Sequence, residues 1–322
     1  MRDKPSAPLP TAVVFGGAGF IGSHLAEELL DRGYPVRIFA RAGADRSLPE
    51  TLRGRATLES GDFMNDADVS RAMQKCELAV HAISSTIPAS SNQAPTFDVE
   101  TNLVSTLRFL EQARCQGVKR VLLLSSGGTV YGRAARLPIS EDAPTFPLCS
   151  YGIVKLALEK YFHMFATLYG LGHTIVRLAN PYGERQSPTR RQGAVAIFLN
   201  RVLRGEPLEI FGDGSIVRDF IYIKDATRAI RLLLDSSAPD GIYNVGTATG
   251  TSLNELVEHI RKVTGRPVEV RKGPGRTVDV PANILSIDKI ERVTGWKPEC
   301  SLADGIARTW DWRRHQVAGK SE

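Results

Sequence analysis

The apolar run at residues 12–15 ends in Gly16-Gly17-Ala18-Gly19-Phe20-Ile21-Gly22, and an amphipathic stretch opening on Ser23 and His24 follows at once. Gly16, Gly19 and Gly22 at this spacing let the chain turn sharply out of a strand, let backbone amides approach a pyrophosphate, and let the next helix pack close on the strand. The N-terminus of that helix then faces the phosphates with its unpaired N–H groups. A loop of this kind at the first strand-to-helix turn predicts a dinucleotide site at the head of a parallel sheet.

The pattern downstream agrees. Strand-like runs at 36–40, 57–59, 78–82, 121–125 and 174–178 alternate with helical periodicity at 21–32, 66–75, 95–116 and 150–169, as β-α-β units stacked into one sheet require. After residue 180 the pieces shorten and are broken by glycine: strands at 208–211 and 217–222, a helix at 225–235, and a run at 242–245 expected to rejoin the sheet. A helix at 253–264, a basic strand at 268–272, a Gly/Pro/Arg loop and two closing helices complete the chain. The expected fold class is α/β, a doubly wound parallel Rossmann sheet with a smaller C-terminal α/β lobe. The dinucleotide-binding part spans 11–180, with 224–247 rejoining it, and the lobe takes 181–223 and 248–318.

With 322 residues, 42% of them hydrophobic, the chain buries a large core without staples, and Cys76, Cys115, Cys149 and Cys300 stand too far apart for a metal or redox pair. The six histidines show no ligand spacing, so no metal is expected. The net charge of +6 is carried by scattered basic residues, which argues against a nucleic-acid surface and for a small anionic ligand. No apolar run approaches the roughly 20 residues of a membrane span, and the first residues lack an apolar signal core. A cytoplasmic protein without membrane contact is expected.

In sites of this kind an acidic residue at the end of the second strand binds the adenosine ribose. Ala40 stands there, with Arg41 beside it. Arg41 suits a 2′-phosphate, so NAD is the expected cofactor with NADP left open; Asp45, further into the loop, is an outside candidate for the ribose. Tyr151 and Lys155 lie four apart at the start of the 150–169 helix, one turn apart on one face. A phenol with an unperturbed pKa of about 10 is a poor base at pH 7, but a neighbouring ammonium and a positively charged nicotinamide favour the phenolate. Tyr151 then exchanges a proton with a substrate hydroxyl while hydride moves between carbon and cofactor.

Taken with Ser125-Ser126-Gly127-Gly128-Thr129-Val130-Tyr131-Gly132 after the fifth strand, these features resemble the extended short-chain dehydrogenase/reductase family, and within it the NAD-dependent nucleotide-sugar epimerases and dehydratases. The resemblance runs over nearly the whole chain. It includes Gly61-Asp62, His81-Ala82, Asn102, Arg177 to Gly183, Phe211 to Gly214, Val217-Arg218-Asp219-Phe220 and Arg276-Thr277-Val278-Asp279. It implies that Phe20, Ile21, Asp62, Phe63, Ala82, Ile83 and Asn102 line the cofactor with the glycine loop, Asp62 bonding the adenine amine, and that Lys155 also holds the nicotinamide ribose. It further implies that Asn180 contacts the sugar or its phosphate, that Arg218 and Arg276 clamp the diphosphate, that Asp279 accepts from the nucleoside ribose, and that Phe211 lies by the base.

Two positions depart from the family pattern. Related epimerases often carry a third serine after Ser125-Ser126, where Gly127 stands here, so Ser126 or Thr129 must supply the hydroxyl that positions the sugar oxygen. The dehydratases look like Thr-Asp-Glu ahead of Val-Tyr-Gly; Gly127, Gly128 and Thr129 in that place argue against dehydration. Asn283, four after Asp279, stands where resembling epimerases gate an N-acetyl group, and Asn is intermediate in size. The activity implied is inversion at C4 of a nucleoside diphosphate sugar, of the UDP-glucose/UDP-galactose kind, through a transient 4-keto sugar. NADPH-dependent reduction of a 4-keto-6-deoxy sugar nucleotide is the alternative. Leu103, Leu107 and Leu110 on one long helix, and Leu158, Phe162 and Phe165 on the other, recur at helical spacing and mostly serve the core. The resemblance implies that these two helices pair with their symmetry mates in a homodimer.

Overall fold

The computed structural model describes residues 9–189, 192–275 and 279–318. Its central sheet has seven parallel strands: β1 Ala12–Phe15, β2 Val36–Ala40, β3 Thr57–Ser60, β4 Leu78–His81, β5 Arg120–Ser126, β6 Gly172–Leu178 and a last strand, Gly241–Val245. Across the sheet the order is Gly241–Val245, β6, β5, β4, β1, β2, β3. Strand order therefore reverses between β1 and β4, and beyond the carboxyl ends of those two strands lies the crevice in which folds of this type bind ligands.

Side chains alternate across the sheet with the two-residue period of a strand. Ala12 and Val14 of β1, Leu78 and Val80 of β4, and Leu122 and Leu124 of β5 join one core with the helices Phe20–Arg32 and Ile223–Asp235. Val13 and Phe15, Ala79, and Val121 and Leu123 join the opposite core with Asp66–Met73, Ser105–Cys115 and Ser150–Tyr169. Both faces are covered, which is why β1 reads as an unbroken apolar run and β4 as one up to His81. A third core, built from Tyr182, Phe198, Ile210, Leu256, Ile260 and Trp310, gathers the helices Ala194–Arg204, Leu253–Thr264 and Leu302–Ala318. Phe20 and Ile21 of the first helix pack against this smaller core, so the glycine loop sits where sheet and lobe meet.

Two expectations from periodicity change on contact with tertiary structure. The run at 217–222 is not one strand: Val217–Arg218 pairs with Thr251–Ser252 and Ala282–Asn283, while Phe220–Tyr222 pairs with Asn180–Tyr182. The break falls at Asp219, whose carboxylate turns inward to accept backbone N–H groups from Thr247 and Leu285. The helix expected at 95–116 is interrupted. Pro95–Asp98 leads into a π-helical turn, Val99–Val104, before Ser105–Cys115 continues, and such wide turns recur at functional sites. The core reading of the two long helices holds: Leu110, Leu158, Phe162 and Phe165 are buried in the core and Leu103 and Leu107 are half-buried. The outward apolar residues of these helices are instead Phe97, Val99 and Val104 on one run and Ile153, Met164, Leu168 and Tyr169 on the other. No helix among the described residues is long and apolar enough to cross a membrane.

Candidate active site

Chain leaving β1 turns at Gly16 with φ +84°, a conformation that residues with a Cβ rarely take. A Cβ on Gly16 would stand 2.9 Å from the Ala82 carbonyl oxygen, and one on Gly22 would stand 2.3 Å from the Gly16 carbonyl oxygen. Gly19 caps the helix Phe20–Arg32 without any side-chain bond, and its first turn holds no acidic residue. Its leading N–H groups are thus left for an anion, in a cradle that a pyrophosphate fits. Ala82 and Ile83 close the other wall: the Ala82 N–H donates to the Phe15 carbonyl at 2.9 Å. At the lip, Ala40 is buried and Arg41 and Asp45 are exposed. Asp62 is exposed beyond β3, accepts from the Met64 N–H at 3.0 Å and donates its own N–H to Asp68 at 2.9 Å.

Two residues assigned to the cofactor do other work with their side chains. The Phe63 ring lies in the core among Phe15, His81 and Phe109, with centroids 5.8, 5.1 and 6.0 Å away. Asn102 is buried; its Oδ1 accepts from the Ser85 N–H at 2.9 Å, and its Nδ2 donates to Asp98 at 2.9 Å and to Thr86 at 3.2 Å. It pins the loop after β4, and the wide helical turn is what swings it there.

The reactive side chains converge at the carboxyl end of β5. Lys155 is buried, donates from Nζ to the Leu124 carbonyl at 2.9 Å, and stands 5.7 Å from the centre of the Tyr151 ring. Burial pulls the Lys155 pKa down to about 8, against the charges of Asp98 and Glu159, which raise it. Burial also pushes the Tyr151 phenol up, Cys149 and Asp98 add to that rise, and a hydrogen bond with Ser126 opposes it. In the protein alone the net direction for this phenol is therefore upward. Ser126 is thus a hydroxyl near enough to the phenol to act on its titration, while the Thr129 hydroxyl is buried and unpartnered.

Packing explains the missing third serine. A Cβ at Gly127 would lie 2.5 Å from Leu285 Cδ1, and the Gly127 carbonyl accepts from Asn283 Nδ2 at 3.0 Å. Asn283 is fully buried, and its Oδ1 has no partner. Gly127→Ser is expected to cost about 1–2 kcal/mol by overpacking. The cost should shrink when Leu285→Ala is added; equal melting temperatures for Gly127→Ser and the parent protein would contradict this packing account.

Beyond β6 the substrate-side residues form a chain of contacts. Asn180 donates from both its backbone N–H and its Nδ2 to the Asp219 carbonyl, at 2.9 and 3.0 Å. Arg218 donates to the Val217 and Val280 carbonyls and lies 3.5 Å from Asp279. Phe211 is exposed at a depression of about 250 Å³ that Ile216, Gly275, Asp279 and Pro281 also line. Arg276 falls outside the described residues.

Asp219 was given no role by its motif. It is fully buried and accepts from the Thr247 N–H and hydroxyl and the Leu285 N–H; burial raises its pKa to about 6 while these donors hold it down. Gly246 is required beside it, since a Cβ there would stand 2.4 Å from Asp219 Oδ2. Asp219→Asn puts an amide NH2 among N–H donors and should destabilise the fold by about 2 kcal/mol. An unchanged denaturation midpoint would show that these bonds carry no weight.

A family model described as the NAD dependent epimerase/dehydratase family matches residues 12–246. Over 310 residues the chain is 36% identical to a UDP-glucose 4-epimerase of Mycolicibacterium smegmatis, a match covering 94% of this chain and 98% of the relative. Among solved structures, the UDP-glucose 4-epimerase of Thermotoga maritima with UDP-glucose aligns at a TM-score of 0.89 and 35% identity, covering 95% of this chain and 99% of that one. The UDP-glucose 4-epimerase of Thermus thermophilus in complex with NAD aligns at 0.87 and 33% identity, covering 94% and 99%.

Proposed function

Because the chain belongs to the NAD dependent epimerase/dehydratase family, we propose that it inverts C4 of a nucleoside diphosphate sugar, a UDP-hexose of the glucose/galactose pair. The observation that carries this reading is the joining of Tyr151, Lys155 and Ser126 at the end of β5, with glycine at both positions after Ser126. That wall holds a proton-transfer group for a hydroxyl but no acid and base for eliminating water. The glycine loop, Ala82 and Ile83 hold NAD, which supplies an acceptor and donor of hydride. Tyr151 takes the proton from the 4-hydroxyl and returns it after the transient 4-keto sugar has turned over in the pocket. Ser126 steadies the same oxygen, and Lys155 keeps a positive charge beneath the phenol and holds the nicotinamide ribose. Arg218, oriented by Asp279 and two carbonyls, meets the diphosphate together with Arg276. Asp279 accepts from the nucleoside ribose, Asn180 contacts the sugar, and Phe211 lies by the base.

The same reading makes the protein a homodimer. The outward stripes led by Phe97 and Val104 and by Ile153, Met164 and Leu168 lie on neighbouring helical runs and suit an isologous contact with a second copy. Sedimentation as a monomer at micromolar concentration would remove the dimer and leave the chemistry standing.

The test is incubation with UDP-glucose, and separately with UDP-galactose, without added reduced cofactor, following the anomeric protons by NMR. Interconversion is expected. No change, with oxidation of added NADPH by a 4-keto-6-deoxy sugar nucleotide, would replace the epimerase with a reductase and make exposed Arg41 its cofactor determinant.

A further inference from the structure

Asp98 closes the short helix Pro95–Asp98 and is fully buried, yet no substrate or cofactor role falls to it. Its Oδ1 accepts from the Thr86 hydroxyl at 2.6 Å and from Asn102 Nδ2 at 2.9 Å; its Oδ2 accepts from the Ser150 hydroxyl at 2.7 Å. Thr86 belongs to the loop after β4, and Ser150 opens the helix that carries Tyr151 and Lys155. The Ser150 N–H is tied to the same region, donating to Asn92 Oδ1 at 2.8 Å. One carboxylate thus joins the loop beside the cofactor cradle to the first turn of the catalytic helix, across 52 residues of sequence.

The charges around Lys155 single Asp98 out further. Five titratable groups face it or its surroundings: Tyr151 and Glu159 from its own helix, Cys149 just before that helix, His81 from the end of β4, and Asp98. Glu159 is already committed, its two oxygens accepting from Arg177 at 2.7 to 3.2 Å and its Oε1 from the Ser125 hydroxyl as well. Burial keeps His81 neutral, with its pKa down at about 3, and burial likewise holds the Tyr151 phenol and the Cys149 thiol in their neutral forms. Asp98 and Glu159 are the acidic groups that favour the Lys155 ammonium, and of the two Glu159 is the one paired with a guanidinium.

We propose that Asp98 is a positioning residue for the Tyr151/Lys155 pair: its carboxylate moors the start of the catalytic helix to the loop after β4 and is the counter-charge of the Lys155 ammonium. The proposal rests on the catalytic reading of Tyr151 and Lys155 given above.

Asp98→Asn separates charge from hydrogen bonding. The amide oxygen still accepts from Thr86 and Asn102, and the amide NH2 can donate to the Ser150 hydroxyl, which serves as donor or acceptor. Melting temperatures of the parent and the variant should differ more at about pH 7, where Lys155 is an ammonium, than at about pH 10, where it is neutral. In a Lys155→Met background that pH dependence should vanish. With a turned-over sugar nucleotide, the alkaline limb of kcat/KM should move down by about one pH unit in Asp98→Asn. A melting deficit equal at both pH values, or a uniform loss of rate with the limb in place, would reduce Asp98 to a structural residue and overturn the proposal. Should Asp98→Asn fail to fold, Thr86→Val and Ser150→Ala keep the charge and each remove one bond. They should lower kcat with an unmoved limb, and unchanged kcat in both overturns the mooring. The melting comparison needs no substrate, so a parent protein inactive on every sugar nucleotide would sink the epimerase reading while Asp98 is still judged by its pH dependence.

Discussion

Tyr151→Phe is expected to cut turnover by about 100-fold or more, the scale of losing a general acid or base, with sugar-nucleotide affinity held within about twofold. The ring stays in its place on the helix Ser150–Tyr169, so the pocket keeps its shape and only the hydroxyl is lost. Among the described residues that hydroxyl is the group at the end of β5 best placed to carry the proton: Ser126 lies near it, and Lys155 has spent one donor on the Leu124 carbonyl. Burial holds the phenol protonated in the protein alone, and the Lys155 ammonium, 5.7 Å from the ring centre, is the positive charge placed beside it. Since that charge is lost near pH 8, kcat/KM of the parent protein should fall above about pH 8. Ser126→Ala, which removes a partner of the phenol and leaves the phenol, should cost about tenfold. Turnover of Tyr151→Phe at more than a tenth of the parent's, measured with affinity followed by calorimetry, would mean that another group moves the proton.

Much of this site is legible in local sequence because its parts are local. The glycine loop is a property of seven consecutive residues, and Tyr151 and Lys155 face one way because a helix repeats every 3.6 residues. The alternating apolar runs announce the sheet for the same reason. What could not be read is whatever depends on partners far along the chain. The anchoring role of Asn102 is hidden until the wide turn that contains it aims its amide at Ser85, Thr86 and Asp98. Gly127 looks like a lost serine until Leu285, 158 positions on, is seen filling the space a Cβ would need. Asp219 reads as one charge in a strand, and its meaning lies in Thr247 and Leu285. Spacing also says nothing of how deeply the phenol is buried, because four-residue geometry reports only the lysine's proximity.

Lys155→Met should do two opposite things at once: lower turnover by about 100-fold or more and raise stability at neutral pH by about 2 kcal/mol. The first follows from removing the positive charge beside Tyr151. The second follows from the cost of burying an ammonium. In the folded protein Lys155 titrates at about 8, against an ordinary lysine value of 10.5, so between those values the unfolded chain holds the proton that the folded one has released. Stability of the parent protein therefore rises with pH from about 8 towards about 10.5, and below 8 the full penalty applies. A methionine of similar length fills the site without charge, so the advantage of Lys155→Met over the parent should be greatest below pH 8 and should shrink as pH climbs through that window. The lost bond to the Leu124 carbonyl sets the limit on the gain. Melting curves across the range decide it: a variant less stable than the parent at pH 7 would mean that Asp98 and Glu159 offset the cost of burial in full, and the lysine would then be held for stability as well as for chemistry.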